Sequence, residues 1–200
     1  MAHYGQGRYH PYGITQSQFL NIQFVFRQMA GIFVTSVLLK RTTNNIKMTS
    51  LPKIRIASTN DATAIAELIY STSLACCFTP EQPCPEWFKA SVAPTEIAKQ
   101  LSSEQIAWLV AEENQSLAGV LAVSDKSHVK YFFVRPTHQK TGLGKRLWQF
   151  ASSNELLNKS VTVRLSLVAV PVYERLGFKA TEPAKAFNGM PYQAMLAIYA

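Results

Sequence analysis

The sequence has few cysteines, no long apolar run and, across its first 48 residues, no acidic side chain. Each shortage excludes something. Three cysteines among 200 residues cannot all pair with one another, so no disulfide framework is expected and a reducing, cytoplasmic setting is. Cys76, Cys77 and Cys84 lack CxxC spacing, and the next histidine, His128, lies far downstream, so no metal site is expected. No window reaches the roughly 18 unbroken apolar residues of a membrane span, and none is expected. Only 16% of residues are charged against 48% hydrophobic, which excludes a largely disordered chain. Neither an internal repeat nor a low-complexity tract is present. A chain of this length can bury a core without staples.

The net charge of +8 is unevenly placed. Residues 1–48 hold five of the 20 basic residues (Arg8, Arg27, Lys40, Arg41, Lys47) and none of the 12 acidic ones. The remainder, with 15 basic and 12 acidic residues, is nearly balanced, so a fold-wide basic surface for nucleic acid is not implied. Residues 1–47 therefore read as a basic, partly apolar extension and 48–200 as the folded domain. Met1 to Gly13 is rich in His, Tyr and Gly without periodicity, and Phe19 to Leu39 is apolar but broken by Asn21, Gln23, Arg27 and Gln28. Three readings stay open: a membrane-surface helix, a targeting segment, or an upstream extension not needed by the fold, with Met48 as the functional start. The third is preferred.

From Lys53 the pattern is regular. Lys53 to Ala57 alternates as a strand, and Asn60 or Asp61 can cap a helix whose Ile65, Leu68 and Ile69 share one face. Cys76 to Pro94 holds four prolines and reads as a loop with room for one helical turn; Pro94 then opens a short helix. Three strand-like runs, Ala107 to Ala111, Leu117 to Val123 and Val129 to Val134, are joined by turn-prone residues and predict an antiparallel meander. A helix follows over Leu143 to Ser152, a strand over Val161 to Leu167, and a short helix over Ala169 to Leu176 that stops at Gly177. Two closing strands, Phe178 to Thr181 and Tyr192 to Tyr199, flank the turn signal Asn188-Gly189.

The most informative segment runs from Val134 through Pro136 to Gly144, with a strand entering and a helix leaving. Gly142 and Gly144 permit a tight backbone turn, and the helix start exposes amides that suit an anion, with Lys140, Lys145 and Arg146 nearby. A P-loop would need Ser or Thr after Gly144-Lys145, where Arg146 stands. The dinucleotide fingerprint would need a third glycine and a parallel sheet.

A second segment, Ala169-x-x-x-Tyr173 followed by Gly177-Phe178, comes after one further strand. With Gln139-x-x-Gly142-x-Gly144 it resembles the GNAT superfamily of acyl-CoA-dependent N-acetyltransferases, over about residues 53–199. The resemblance implies an α/β (α+β) fold. Its central sheet is mixed, mostly antiparallel and twisted, of about seven strands splayed between the fourth and fifth, with about four flanking helices. It implies an acyltransferase that moves acetyl from acetyl-CoA to a primary amine of a small molecule or peptide, by direct attack in a ternary complex. A non-catalytic acyl-CoA-binding sensor or interaction module is the alternative.

The resemblance also implies roles. The diphosphate of acetyl-CoA would lie on Gln139, Lys140, Thr141, Gly142, Leu143 and Gly144, with Lys145 at the rim. Phe132, Phe133 and Val134 would supply backbone contacts to the pantetheine arm, and Ser166 and Ala169 would meet it after the fifth strand. Tyr173 would be the catalytic acid that protonates the departing thiolate, since a phenol near pKa ~10 outlasts a thiol near ~8.5. Its other reading is plain packing of a short helix. The base is open among Glu112, Glu113, Asp125, His128 and a water relay. Phe78, Trp87 and Phe88 are equally an acceptor-pocket lining or a cap on the core, and Trp148 is expected to pack. Two departures stand out: Ser166 occupies a position where the family often has Asn, and the extension precedes the usual start. An edge strand near the C-terminus makes a homodimer plausible.

Overall fold

The computed structural model describes residues 51–199. The expectations for the N-terminal extension, its apolar segment and Met48 as a start fall outside the described residues. The elements are β1 (Lys53–Ile56), α1 (Ala62–Cys76), α2 (Glu86–Ser91), α3 (Pro94–Leu101), β2 (Ile106–Glu113), β3 (Ser116–Ser124), β4 (His128–Val134), α4 (Leu143–Ser153), β5 (Ser160–Leu165), α5 (Val170–Glu174), β6 (Lys179–Ala180), β7 (Lys185–Phe187) and β8 (Met190–Ile198).

Eight strands form one mixed sheet in the order β1-β2-β3-β4-β5-β8-β6, with β7 also paired to β8. Every pairing is antiparallel except β4 with β5. The expected meander is therefore present, in the mixed α/β architecture expected. The helical turn allowed for in the proline-rich stretch is α2, and one strand was not foreseen: β7 forms a separate short strand. The Asn188-Gly189 turn, with left-handed φ of 46° and 80°, thus joins β7 to β8 rather than β6 to β8.

Alternation divides the sheet into two packed faces. Ile65, Leu68 and Ile69 of α1 and Ile97 of α3 are fully buried against Trp108, Val110, Val120 and Ala122. On the other face Leu143, Leu147, Trp148 and Ala151 of α4 pack with Leu121, Val123, Val161, Val163, Tyr173 and Phe178. Each fully buried Leu or Ile contributes about 1.5–3 kcal/mol. α4 sits close because residue 119 is glycine: a Cβ there would meet Leu147 Cδ1 at 3.0 Å and the Phe133 carbonyl oxygen at 3.3 Å. The helix whose first turn carries the anion site is thereby seated directly on β3 and β4.

The start of the domain is tied by a forked ion pair. Arg55 on β1 donates to both Asp61 carboxylate oxygens at 2.8 Å and to Glu112 Oε2 on β2 at 2.9 Å. Asp61 also accepts the Ser58 amide at 2.7 Å, closing a capping box before α1. The Arg55 guanidinium holds the Asp61 carboxyl at about 2.

Candidate active site

The site begins where two strands part. β4 and β5 pair in parallel only at His128 with Thr162 and Val129 with Val163. Lys130 is an extra residue on β4, because the register against β3 shifts between Ala122–Tyr131 and Val123–Val129. A bulge of this kind turns its strand away from a neighbour. From Lys130 to Val134, β4 has no partner on its β5 side. The Arg135 amide donates to the Ala118 carbonyl at 2.8 Å, on the β3 side. By alternation, Phe132 and Val134 direct their amides and carbonyls into the gap, whereas Phe133 directs its own toward β3, opposite Val120. Of the three strand residues expected beside the pantetheine arm, two thus aim their backbone into the gap, where the Val134 carbonyl is held by Gln139 Nε2.

Beyond β4, Pro136–His138 makes a 3-10 turn and the chain reverses into α4. Lys140 and Gly142 adopt left-handed φ of 63° and 87°. At Gly142 that conformation would cost an ordinary L residue about 1–2 kcal/mol. The consequence is a run of open donors. Among the described residues, the Gln139 amide bonds to the Pro136 carbonyl and the Arg146 amide to the Gly142 carbonyl, but the amides of Lys140, Thr141, Gly142, Leu143, Gly144 and Lys145 find no backbone acceptor. Alternating left- and right-handed residues ahead of a helix N-terminus form a concave anion nest. Thr141 Oγ1 donates to the His138 carbonyl at 2.7 Å and closes the turn. Lys140 and Lys145 are exposed at its rim. Arg146 is committed elsewhere, to the Pro52 carbonyl at 2.9 Å.

Tyr173 stands on α5, 5% exposed, with its ring edge-on to Phe132 and Phe178 at centroid separations of 6.0 and 5.3 Å. Phe132 also lies 3.5 Å from where a Cβ on Gly144 would be. One aromatic ring therefore bridges the glycine turn, the free edge of β4 and the phenol. Burial alone raises the Tyr173 pKa far above that of a free tyrosine, and no hydrogen bond or charge opposes it. The phenol stays protonated throughout the neutral range.

The C-terminal end of α1 crosses the mouth of the gap. Cys77 Sγ lies 3.5 Å from Ser166 Oγ, just past β5, and Gln139 Nε2 lies 3.6 Å from Cys76 Sγ while donating to the Val134 carbonyl at 3.0 Å. The sequence pattern places these cysteines at the start of a proline-rich loop and gives them no role. Their place at the site depends on how α1 docks, which no local pattern carries. Burial pushes the Cys77 thiol up in pKa, against a smaller opposing effect of Ser166. Ala169 is half-buried in the 3-10 turn that leads into α5.

Of the base candidates, Glu112 is engaged by Arg55, and Glu113 Oε2 lies 2.9 Å from His138 Nε2. Asp125 is exposed in the β3–β4 turn. His128 lines a cavity of about 480 Å3 with Trp87, Phe88, Lys130, Tyr131 and Met190, on the α1–α3 face of the sheet. Phe78 packs edge-on to Phe88 at 5.6 Å outside that lining. The Thr162 hydroxyl lies 3.1 Å from the Ser127 carbonyl and 2.8 Å from His128 Nδ1. The second contact fixes the orientation of the ring, and which partner donates in it follows from the imidazole tautomer. Burial first, then the charges of Arg164 and Lys130, lower the His128 pKa.

A family model described as an acetyltransferase (GNAT) domain matches residues 74–198. The chain belongs to the GNAT acetyltransferase family. It is an acyltransferase by that membership, and the sheet with its parallel β4–β5 pair is the GNAT fold. A GCN5-related N-acetyltransferase from Rhodopseudomonas palustris is similar in structure, at 21% identity over 76% of this chain and 98% of that one, with a TM-score of 0.57. The PaiA N-acetyltransferase of Thermoplasma acidophilum, solved with coenzyme A, is 18% identical over 74% of this chain and 98% of its own, with a TM-score of 0.57. A spermidine N-acetyltransferase chimera built from Vibrio cholerae SpeG is 18% identical over 74% and 96%, with a TM-score of 0.51. Among proteins with curated descriptions, none matches the chain. Among the described residues no helix is long and apolar enough to cross a membrane, and no three of His, Cys, Asp and Glu cluster as metal ligands.

The residues fit a CoA thioester. Six open amides supply donors for a diphosphate, the free edge of β4 offers alternate amide and carbonyl groups at strand spacing, and a phenol stands beside that edge.

Proposed function

We propose that this GNAT protein transfers an acetyl group from acetyl-CoA to a primary amine of a small molecule or peptide, by direct attack in a ternary complex. The observation that carries the reading is the early parting of β4 from β5, which leaves a lined gap with the amide-rich turn on one side and the His128 cavity on the other. Acetyl-CoA, when bound, supplies an activated carbonyl and a thiolate leaving group. The chain supplies the rest. The amides of Lys140 to Lys145 hold the diphosphate, with Lys140 and Lys145 adding charge at the rim. Phe132 and Val134 align the arm through their backbone, and Ser166 meets it opposite, beside Cys77. To accept that arm, the Val134 carbonyl must be released by the Gln139 amide.

Two proton movements remain. His128 takes a proton from the incoming amine, its imidazole oriented by the Thr162 hydroxyl beside Nδ1. Tyr173 gives its proton to the departing thiolate. Residues 48–200 carry all these groups, and residues 1–47 are not required for them. The free state of the three cysteines fits a cytoplasmic setting.

The test is thiol release from acetyl-CoA with a panel of primary amines, beside calorimetry of CoA binding. Amine-dependent release supports transfer. Tight CoA binding with no release from any amine would instead support a non-catalytic acyl-CoA sensor.

A further inference from the structure

The cavity around His128 has a composition that speaks to the acceptor. Its walls are aromatic: Trp87 and Phe88 from α2, and Tyr131 from β4, with Met190 at the start of β8. Beside Trp87 and Met190, two connections meet. Phe187 of β7 sits edge-on to Trp87 at 5.6 Å, and Gln82 Nε2 donates to the Gly189 carbonyl at 3.3 Å. The depression is open to solvent, and its volume of about 480 Å3 lies within the range of small-molecule sites.

Charge separates the candidates further. No Asp or Glu lines the cavity, while Lys130 does. Arg164 stands two residues beyond Thr162 on β5, on the face shared with His128, its guanidinium 5.7 Å over the Tyr192 ring. Of the acids adjacent in sequence to these residues, Glu81, Glu86 and Asp125 are exposed, and Glu182 is paired with Lys185. The charged side chain that lines the cavity itself is a cation. Lys130 is also the bulge residue, so the same feature that parts the strands places a cation where the acceptor enters.

We propose that this cavity selects a small primary amine borne on an aromatic or apolar body that also carries a carboxylate, and that it rejects polycations. The inference rests on the transfer reading above and adds the acceptor class to it. The carboxylate meets Lys130, backed by Arg164. The apolar body lies against Trp87, Phe88 and Tyr131, and the amine points through the gap beside His128 toward the thioester. The amine nitrogen forms a bond to the acetyl carbonyl carbon as the carbon–sulfur bond breaks. One amine proton leaves to His128, and the thiolate takes a proton from Tyr173. A polyamine in the same space would set its ammonium groups beside Lys130 and Arg164 with no carboxylate to receive them.

The experiment compares kcat/KM for L-phenylalanine, phenethylamine and spermidine, with acetyl-CoA and thiol detection, in the full-length protein and in Lys130→Glu. CoA binding is measured by calorimetry in both. The expected result is a preference of at least tenfold for phenylalanine over phenethylamine, and spermidine below both. Lys130→Glu should erase or invert the first ratio while leaving CoA affinity within about twofold. Amine-dependent release with spermidine or phenethylamine favoured, or a ratio untouched by Lys130→Glu, overturns the acceptor class and leaves the transfer reading intact. CoA binding with no release from any of the three and none from the wider amine panel overturns both.

Discussion

Replacing Tyr173 by Phe removes one oxygen atom and keeps the ring. The ring contacts to Phe132 and Phe178 survive, since they are made by carbon edges and faces. Burial is the sole cause of the raised Tyr173 pKa. The hydroxyl is not among the buried polar atoms that lack a partner, so its removal should change stability by no more than about 1 kcal/mol. A change of that size corresponds to about 2–4 °C in Tm for a chain of this size. Turnover should change far more. A positioned general acid contributes about 10²–10⁴-fold, so kcat should fall by that factor while CoA affinity holds. The pH dependence sharpens the test. The folded pKa lies above the unfolded value of about 10, so the wild type keeps this stability below about pH 10 and loses it as pH rises further. Tyr173→Phe should therefore resist alkaline unfolding better. Scanning calorimetry at pH 7 and above pH 10, with single-turnover thiol release, gives both numbers. Wild-type turnover in the variant refutes the acid role. A fall in Tm of more than about 5 °C would mean that the hydroxyl is bonded and that the site is built differently.

His128→Gln should lower kcat about 100-fold or more and abolish the acidic limb of the kcat–pH profile. In the wild type that limb lies below the ordinary histidine value, because burial, Arg164 and Lys130 disfavour the imidazolium. Thr162→Val should shift the same limb without changing CoA affinity. Gly142→Ala forces an alanine into φ near 87°, at about 1–2 kcal/mol, and should weaken CoA binding along with Tm even though a Cβ there meets nothing within 4 Å. Arg55→Met should cost stability near neutral pH and flatten acid unfolding: the lowered Asp61 pKa stabilises the fold above about pH 4 and is lost as pH falls toward about 2. The shift sets a ceiling of about 2.5 kcal/mol, and the partly open setting of Arg55 screens this to about 1 kcal/mol. Alkylation of Cys76 and Cys77, followed by peptide mass mapping in a Cys84→Ser background, should slow when CoA is present, because both thiols face groups of the proposed CoA site. Equal rates with and without CoA would place the arm elsewhere.

The half of the site that handles CoA was legible because it is local. A strand stopped by Pro136, a turn with Gly142 in left-handed conformation and a helix with Leu143 and Leu147 on one face lie within a dozen or so residues, and each signal is short-range. Tyr173 was legible by its spacing to Ala169 and Gly177. What the sequence hid is what depends on how separate elements meet. A helical turn near α2 was foreseen but not its place, because flanking prolines stop a helix yet do not prevent a short one from starting at Glu86. β7 was obscured because three residues carry no period, and only pairing with β8 defines them. Cys76 and Cys77 have no motif at all; they matter because α1 ends over the parting of β4 and β5. The acceptor cavity is the extreme case. Trp87, Lys130 and Met190 come from three separate elements, and they share one wall only because the β7–β8 turn meets the loop before α2 beside the sheet. Diphosphate recognition uses backbone amides, which every sequence supplies and a glycine turn merely exposes. Acceptor recognition uses side chains gathered from a distance. Substitutions at Trp87, Lys130 or Met190 can therefore alter the amine accepted without disturbing the turn that holds CoA.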